Sequence, residues 1–85
     1  MYEVQICKRA KKKLTGLPQK QRVLIAEGIQ FLALNPNDTR LDTKKLLGRN
    51  EYRLRIGSWR VIYARNDYLN IISIEKIGSR GDVYK

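Results

Sequence analysis

Residues 52–63, YRLRIGSWRVIY, constrain the fold more than any other stretch of the chain. Gly57-Ser58 suits a two-residue hairpin turn, because a type II′ turn wants glycine at its first central position. Two strands then pair with Ile56 opposite Trp59, Arg55 opposite Arg60, Leu54 opposite Val61, Arg53 opposite Ile62 and Tyr52 opposite Tyr63. Successive strand side chains point to opposite faces. Tyr52, Leu54, Ile56, Trp59, Val61 and Tyr63 therefore share an apolar face, and Arg53, Arg55 and Arg60 gather on the other. Like charges placed directly opposite each other are destabilising, by up to about 1 kcal/mol. The pattern asks for an anion, and phosphate matches the planar guanidinium fork.

The other strands and helices follow from periodicity. YEVQI, residues 2–6, alternates apolar and polar and predicts a short strand. CKRAKKKLTGLP sets Ala10, Leu14 and Leu17 at helical spacing, with Gly16 as a stop and Lys8, Arg9, Lys11, Lys12 and Lys13 around the remaining surface. Pro18 suits the first turn of a second helix, whose core stripe is expected from Leu24, Ile25, Ile29, Phe31, Leu32 and Ala33. Gly28 inside that helix predicts close packing against a neighbour. Asn35-Pro36 ends the helix, since a residue before proline avoids helical backbone.

Residues 35–50 read as a loop with a basic end at Lys44, Lys45 and Arg49. A tight turn at Asn66-Asp67 leads into LNIISIEKI, residues 69–77, the strongest strand signal present. With a tight turn, Ser73 falls opposite Arg60, and Ile72 and Ile74 join the core face. The expected fold is one α+β domain over residues 1–85. It has an N-terminal strand, an antiparallel helix hairpin, and an antiparallel β-meander with both helices on one face. The opposite face, which carries the arginines, is left open.

Eighteen Lys and Arg against eight acids give a formal charge of +10, which points to an anionic partner, nucleic acid first. Cys7 is the single cysteine and histidine is absent, so one chain cannot build a zinc site or a Cys/His nucleophile pair. No cofactor motif is present. No apolar run reaches the roughly 18 residues of a membrane span, and the N-terminus lacks a signal peptide's apolar core. The expected location is the cytoplasm, with no membrane partner.

These residues resemble the RelE/ParE superfamily of toxins from toxin–antitoxin systems, on the RelE side. The resemblance runs in order through the YEV opening, a helix ending in LALNP, then KLLG, YRLRIGSWRVIY and IEKIGSRGDVYK. It implies a sheet similar to those of small microbial ribonucleases, and an endoribonuclease that cleaves mRNA, often on the ribosome. It also implies a cognate acidic antitoxin. Carried onto this sequence, the catalytic set is Arg53, Arg55, Arg60, Arg80 and Tyr84, with Lys44, Lys45, Arg49, Lys11 and Lys12 as the RNA-binding flank. Trp59 replaces the usual tyrosine, and Ser79 stands where many relatives have histidine. A C-terminal helix like that of some relatives is not expected.

In the chemistry this implies, the ribose 2′-OH attacks its own phosphate, and fixed guanidinium donors stabilise the added charge at about 3–4 kcal/mol each. Tyr84 would orient or deprotonate the 2′-OH, or stack on a base. Glu75 and Asp82 read as salt-bridge partners of nearby Lys or Arg. Two rival functions stay open: a ParE-like inhibitor of DNA gyrase, and a basic module that binds RNA without cleaving it.

Overall fold

The computed structural model describes residues 1–79. The elements, in chain order, are β1 (Glu3–Ile6), α1 (Lys8–Thr15), α2 (Gln19–Leu34), β2 (Asp42–Lys45), β3 (Tyr52–Ile56), β4 (Trp59–Asn66) and β5 (Ile71–Ser79). They form one five-stranded sheet in the order β1-β5-β4-β3-β2. β1 runs parallel to β5, and the remaining neighbours are antiparallel. The Cα radius of gyration is 11.8 Å, the size of a chain this long with a single core.

The β3–β4 hairpin has the register read from the sequence, with Arg55 opposite Arg60 and Tyr52 opposite Tyr63. Gly57 turns at a φ of 60°, a left-handed backbone that glycine adopts without a Cβ clash. Both helices cover the apolar face. Ala10 and Leu14 from α1, and Ile25, Ile29 and Leu32 from α2, pack on Leu54, Val61, Tyr63, Ile72 and Ile74. Trp59 and Ile56 lie against the edge of this core. Gly28 lets α2 approach the sheet, because a Cβ there would fall inside the Ile56 side chain.

Cys7 joins the first strand, the first helix and the sheet. Its sulfur caps α1 by accepting from the Ala10 N–H at 3.5 Å, and its thiol donates to the Glu75 carbonyl at 3.2 Å.

Four sequence expectations are corrected. Residues 35–50 are not all loop, since Asp42–Lys45 forms edge strand β2 against β3. Its short, charged composition hides it from a propensity reading. Leu24 and Phe31 are exposed, so the buried stripe of α2 is Ile25, Ile29, Leu32 and Ala33. The turn after β4 is longer than a tight pair: Asn66 Oδ1 accepts from the Tyr68 and Leu69 N–H groups, and Asn70 has a φ of 56°. That extra length, with a register shift between Ile62 and Tyr63, sets Gly78 rather than Ser73 opposite Arg60.

Candidate RNA-binding face

The open sheet face is built on register. On β2 and β3, Asp42 stands opposite Arg55 and Lys44 opposite Arg53. On β3 and β4, Arg55 stands opposite Arg60 and Arg53 opposite Ile62. Since partners in register share a face, Asp42, Lys44, Arg53, Arg55, Arg60 and Ile62 lie together on the side without helices. Ile62 is wholly buried between Arg53 and Lys76, giving the basic face an apolar floor. Such a floor lowers the local dielectric and strengthens the charges above it.

The three arginines are not equivalent. Arg53 donates to Asp42 Oδ1 at 2.7 Å, and its side chain is only 12 % exposed. The Arg53 Nε is buried without a hydrogen-bond partner. Arg55 reaches the other Asp42 oxygen at 3.6 Å. Arg60 is half-buried and, among the described residues, has no carboxylate partner. Among the described residues Arg60 is thus without a carboxylate, while Arg53 and Arg55 share one. Sequence reasoning missed Asp42 because the strand that delivers it was not recognised.

A second cluster lies on the same face. Two residues before Arg53, Glu51 is clasped by Arg49, with Nε at 2.6 Å and Nη2 at 2.5 Å. The bulge in β4–β5 leaves Glu75 as the unmatched residue between the Ile62–Lys76 and Tyr63–Ile74 pairs, so it turns toward Glu51. The hydrogen bond to Glu51, then burial, pushes the Glu75 carboxyl up to about 7. Glu51 is held below its ordinary value by the proton that Glu75 donates and by Arg49. Glu75 is thus a partner of Glu51 first, with Arg49 and Arg9 as opposing charges, rather than the simple ion-pair residue expected.

The flanking basic residues divide. Lys44 joins the arginine face, whereas Lys45 stands opposite Tyr52 and so faces the helix side. Lys11 and Lys12 are exposed on α1, across the sheet from Arg53. Arg49 is committed to Glu51. Arg80, Asp82 and Tyr84 lie outside the described residues. Among the described residues no group of three or more Cys, Asp or Glu side chains could hold a metal ion. No helix there is long and apolar enough to cross a membrane.

The model of the family "ParE toxin of type II toxin-antitoxin system, parDE" matches residues 4–84. The chain belongs to the RelE/ParE toxin superfamily. It is a RelE-like toxin of the type II toxin–antitoxin class. A Methanocaldococcus jannaschii protein named as a candidate RelE1 toxin is 40% identical over 86 residues, spanning 99% of this chain and 96% of that one. The archaeal RelE in the RelE–RelB crystal structure from Pyrococcus horikoshii OT3 is 34% identical. It superimposes with a TM-score of 0.81 over 95% of this chain and 97% of that one. The Escherichia coli RelBE complex, at 19% identity and a TM-score of 0.78 over 94% and 98%, shares the fold. The toxin therefore carries the α+β architecture expected from its sequence, with the first strand added to the sheet.

Proposed function

We propose that this toxin is a metal-independent endoribonuclease that cleaves mRNA engaged on the ribosome, in the cytoplasm, and that an acidic antitoxin neutralises it. The observation that carries this reading is the uncompensated Arg60, facing Arg55 above the buried Ile62 on a sheet face without helices. A phosphodiester brought there meets a donor that no carboxylate of the described chain has claimed. The O2′–P bond forms as the P–O5′ bond breaks, leaving a cyclic phosphate and a 5′-hydroxyl. Arg60 and Arg55 would stabilise the charge gathered on phosphorus, and Arg53 and Lys44 would hold an adjacent phosphate.

Histidine, the commonest proton-transfer residue, worth about 10²–10⁴-fold in other enzymes, is absent. Orientation, which a ribosome-held strand supplies, then carries a larger share of the rate. The likeness to RelE chains solved with RelB supports an antitoxin partner. Primer extension on translated and naked copies of one mRNA tests the reading. Cleavage confined to the translated copy, and lost in Arg60→Ala, supports it; equal cleavage of both overturns the ribosome dependence.

The ParE name of the matching family favours one second reading, inhibition of DNA gyrase. A supercoiling assay separates the two, because a ribonuclease leaves gyrase untouched.

A further inference from the structure

Cleavage of this kind needs a proton at O5′, because an unprotonated alkoxide is a poor leaving group as the P–O5′ bond breaks. Arginine holds its own proton too tightly to supply one. Among the described residues the open sheet face carries three carboxyls, Asp42, Glu51 and Glu75. Asp42 is taken by Arg53 at 2.7 Å and by Arg55 at 3.6 Å, and Glu51 is clasped by Arg49. Glu75 differs from both, since its first partner is another acid, Glu51, and not a cation. Two carboxyls meet in this way only when one of them keeps a proton.

The backbone of β5 sets Glu75 in place. Ile62 pairs with Lys76 and Tyr63 with Ile74, so Glu75 has no partner of its own on β4. Ile74 and Ile77 both turn into the core, which leaves Glu75 and Lys76 side by side on the open face. Strict alternation would send one of the two inward; the bulge keeps both outward, a device that re-aims side chains next to active sites. Three residues further on, Gly78 stands opposite Arg60 and puts no side chain beside it. Roughly 10 Å of strand separates Glu75 from that row. The arginine from one end and the glutamate from the other reach toward one phosphodiester lying over Ile62 and Gly78.

We infer that Glu75 is the general acid of this face, giving its carboxyl proton to O5′, with Glu51 as the residue that positions it. The inference rests on the ribonuclease reading proposed above. The step balances: the O2′–P bond forms, the P–O5′ bond breaks, O5′ takes the Glu75 proton, and the O2′ proton passes to solvent water. The Glu75 carboxylate then regains a proton from solvent. The hydrogen bond to Glu51, then burial, raises Glu75 to about 7, so much of it is protonated at neutral pH and able to release that proton. A glutamine would make the same hydrogen bond to Glu51 without titrating, so only a transferable proton sets the acid apart.

The test uses the full toxin and ribosome-bound mRNA in two forms that differ only at the linkage the parent toxin cuts. One has the ordinary P–O5′ bond, and the other a bridging P–S5′ bond, whose thiolate departs without a proton. Glu75→Gln is expected to slow cleavage of the oxygen linkage by about 10²-fold or more and to leave the sulfur linkage near the parent's rate. Cleavage of the sulfur linkage also shows that the variant is folded and binds RNA. Glu51→Gln should lose less, with the same recovery on sulfur. Equal slowing of both linkages in Glu75→Gln, or slowing of neither, would overturn the assignment. So would recovery on sulfur by Lys76→Ala or Lys44→Ala in place of Glu75→Gln, which would give the role to a lysine. A parent toxin that cuts neither linkage refutes the ribonuclease reading itself, whereas one that cuts both without a selective loss in Glu75→Gln refutes this assignment alone.

Discussion

Arg55 and Arg60 stand directly opposite each other on β3 and β4, and among the described residues only Arg55 reaches a carboxylate, Asp42 at 3.6 Å. The asymmetry divides the work of a basic face. One arginine is restrained on an acid of its own chain, and the other is left with charge to offer an incoming anion. Replacing Arg60 by alanine should therefore affect the chemistry more than the fold. On the proposed cleavage, loss of one aimed donor should lower the rate by about 10²–10³-fold. Stability should hold or rise by a few tenths of a kcal/mol, because a like-charge pair is removed. Single-turnover cleavage of translated mRNA, measured with a thermal melt of the same variant, checks both halves. Arg60→Lys should recover part of the rate, since the charge returns without the fork.

Asp42 offers a test in the opposite direction. Its carboxylate draws on Arg53 at 2.7 Å and on Arg55, so Asp42→Asn frees two guanidinium groups at once. RNA binding should tighten, and the slope of log affinity against log salt should steepen by about 0.7 for each phosphate newly engaged. The ion pair is half-exposed on the Asp42 side, so the loss of stability should stay at or below about 1 kcal/mol. Fluorescence anisotropy of a labelled oligoribonucleotide across a salt series measures the slope. An unchanged slope would mean that Asp42 does not compete with RNA.

Much of this face was legible in the sequence because alternation and a glycine turn fix a hairpin's register locally. The β3–β4 pairing and the shared face of Arg53, Arg55 and Arg60 depend only on residues 52–63. What escaped depends on distant segments. β2 is four residues long, polar and at an edge, so its pairing with β3 rather than its own propensity makes it a strand. The contact of Glu51 with Glu75 requires a bulge in β5, which a count of residues from the preceding turn cannot reveal. Leu24 and Phe31 fit a helical stripe on paper, but the sheet meets α2 at Ile25, Ile29 and Leu32 instead.

The Glu51–Glu75 pair predicts a pH dependence whose sign is fixed. Glu75 titrates at about 7 in the folded chain, against an ordinary value of 4.5. Its retained proton contributes stability that is complete below the ordinary value and lost as pH rises through about 7. Glu51, shifted downward, acts oppositely and loses its contribution as pH falls below its ordinary range. The charges facing the pair are Arg49, Arg9 and Lys76: Arg49 and Arg9 moderate the rise at Glu75, while Arg49 and Lys76 deepen the fall at Glu51. Lowering the pH from about 8 to about 6 also removes nearly one negative charge from the sheet face that carries Arg53. RNA affinity should then rise on the order of two- to three-fold at moderate salt. In Glu75→Gln the side chain no longer titrates, so the affinity should be nearly flat over that interval. Anisotropy at a series of pH values distinguishes the variant from the parent, and a parallel slope in both would assign the effect to another group.

Gly28 tests how the helix layer is seated on the sheet that carries the site. Alanine is the better helix former by about 1 kcal/mol, so at an exposed position Gly28→Ala would stabilise. Here the added Cβ meets the Cδ1 and Cγ1 atoms of Ile56, which must change rotamer or push α2 outward. Overpacking of this kind is destabilising by about 1–3 kcal/mol. The terminal methyl can swing aside, but moving Cγ1 takes a change of χ1 in a stiff β-branched side chain packed against the core, so the clash should outweigh the propensity and leave a net loss near 1 kcal/mol. Ile56→Val removes the offending methyl. On its own it should also destabilise, by about 0.5–1.5 kcal/mol. Combined with Gly28→Ala it should lose less than the sum of the two single changes, because the alanine methyl fills the space that the isoleucine vacates. Urea unfolding of the four chains gives the coupling energy directly. Additive losses would show that α2 and β3 do not meet through this pair.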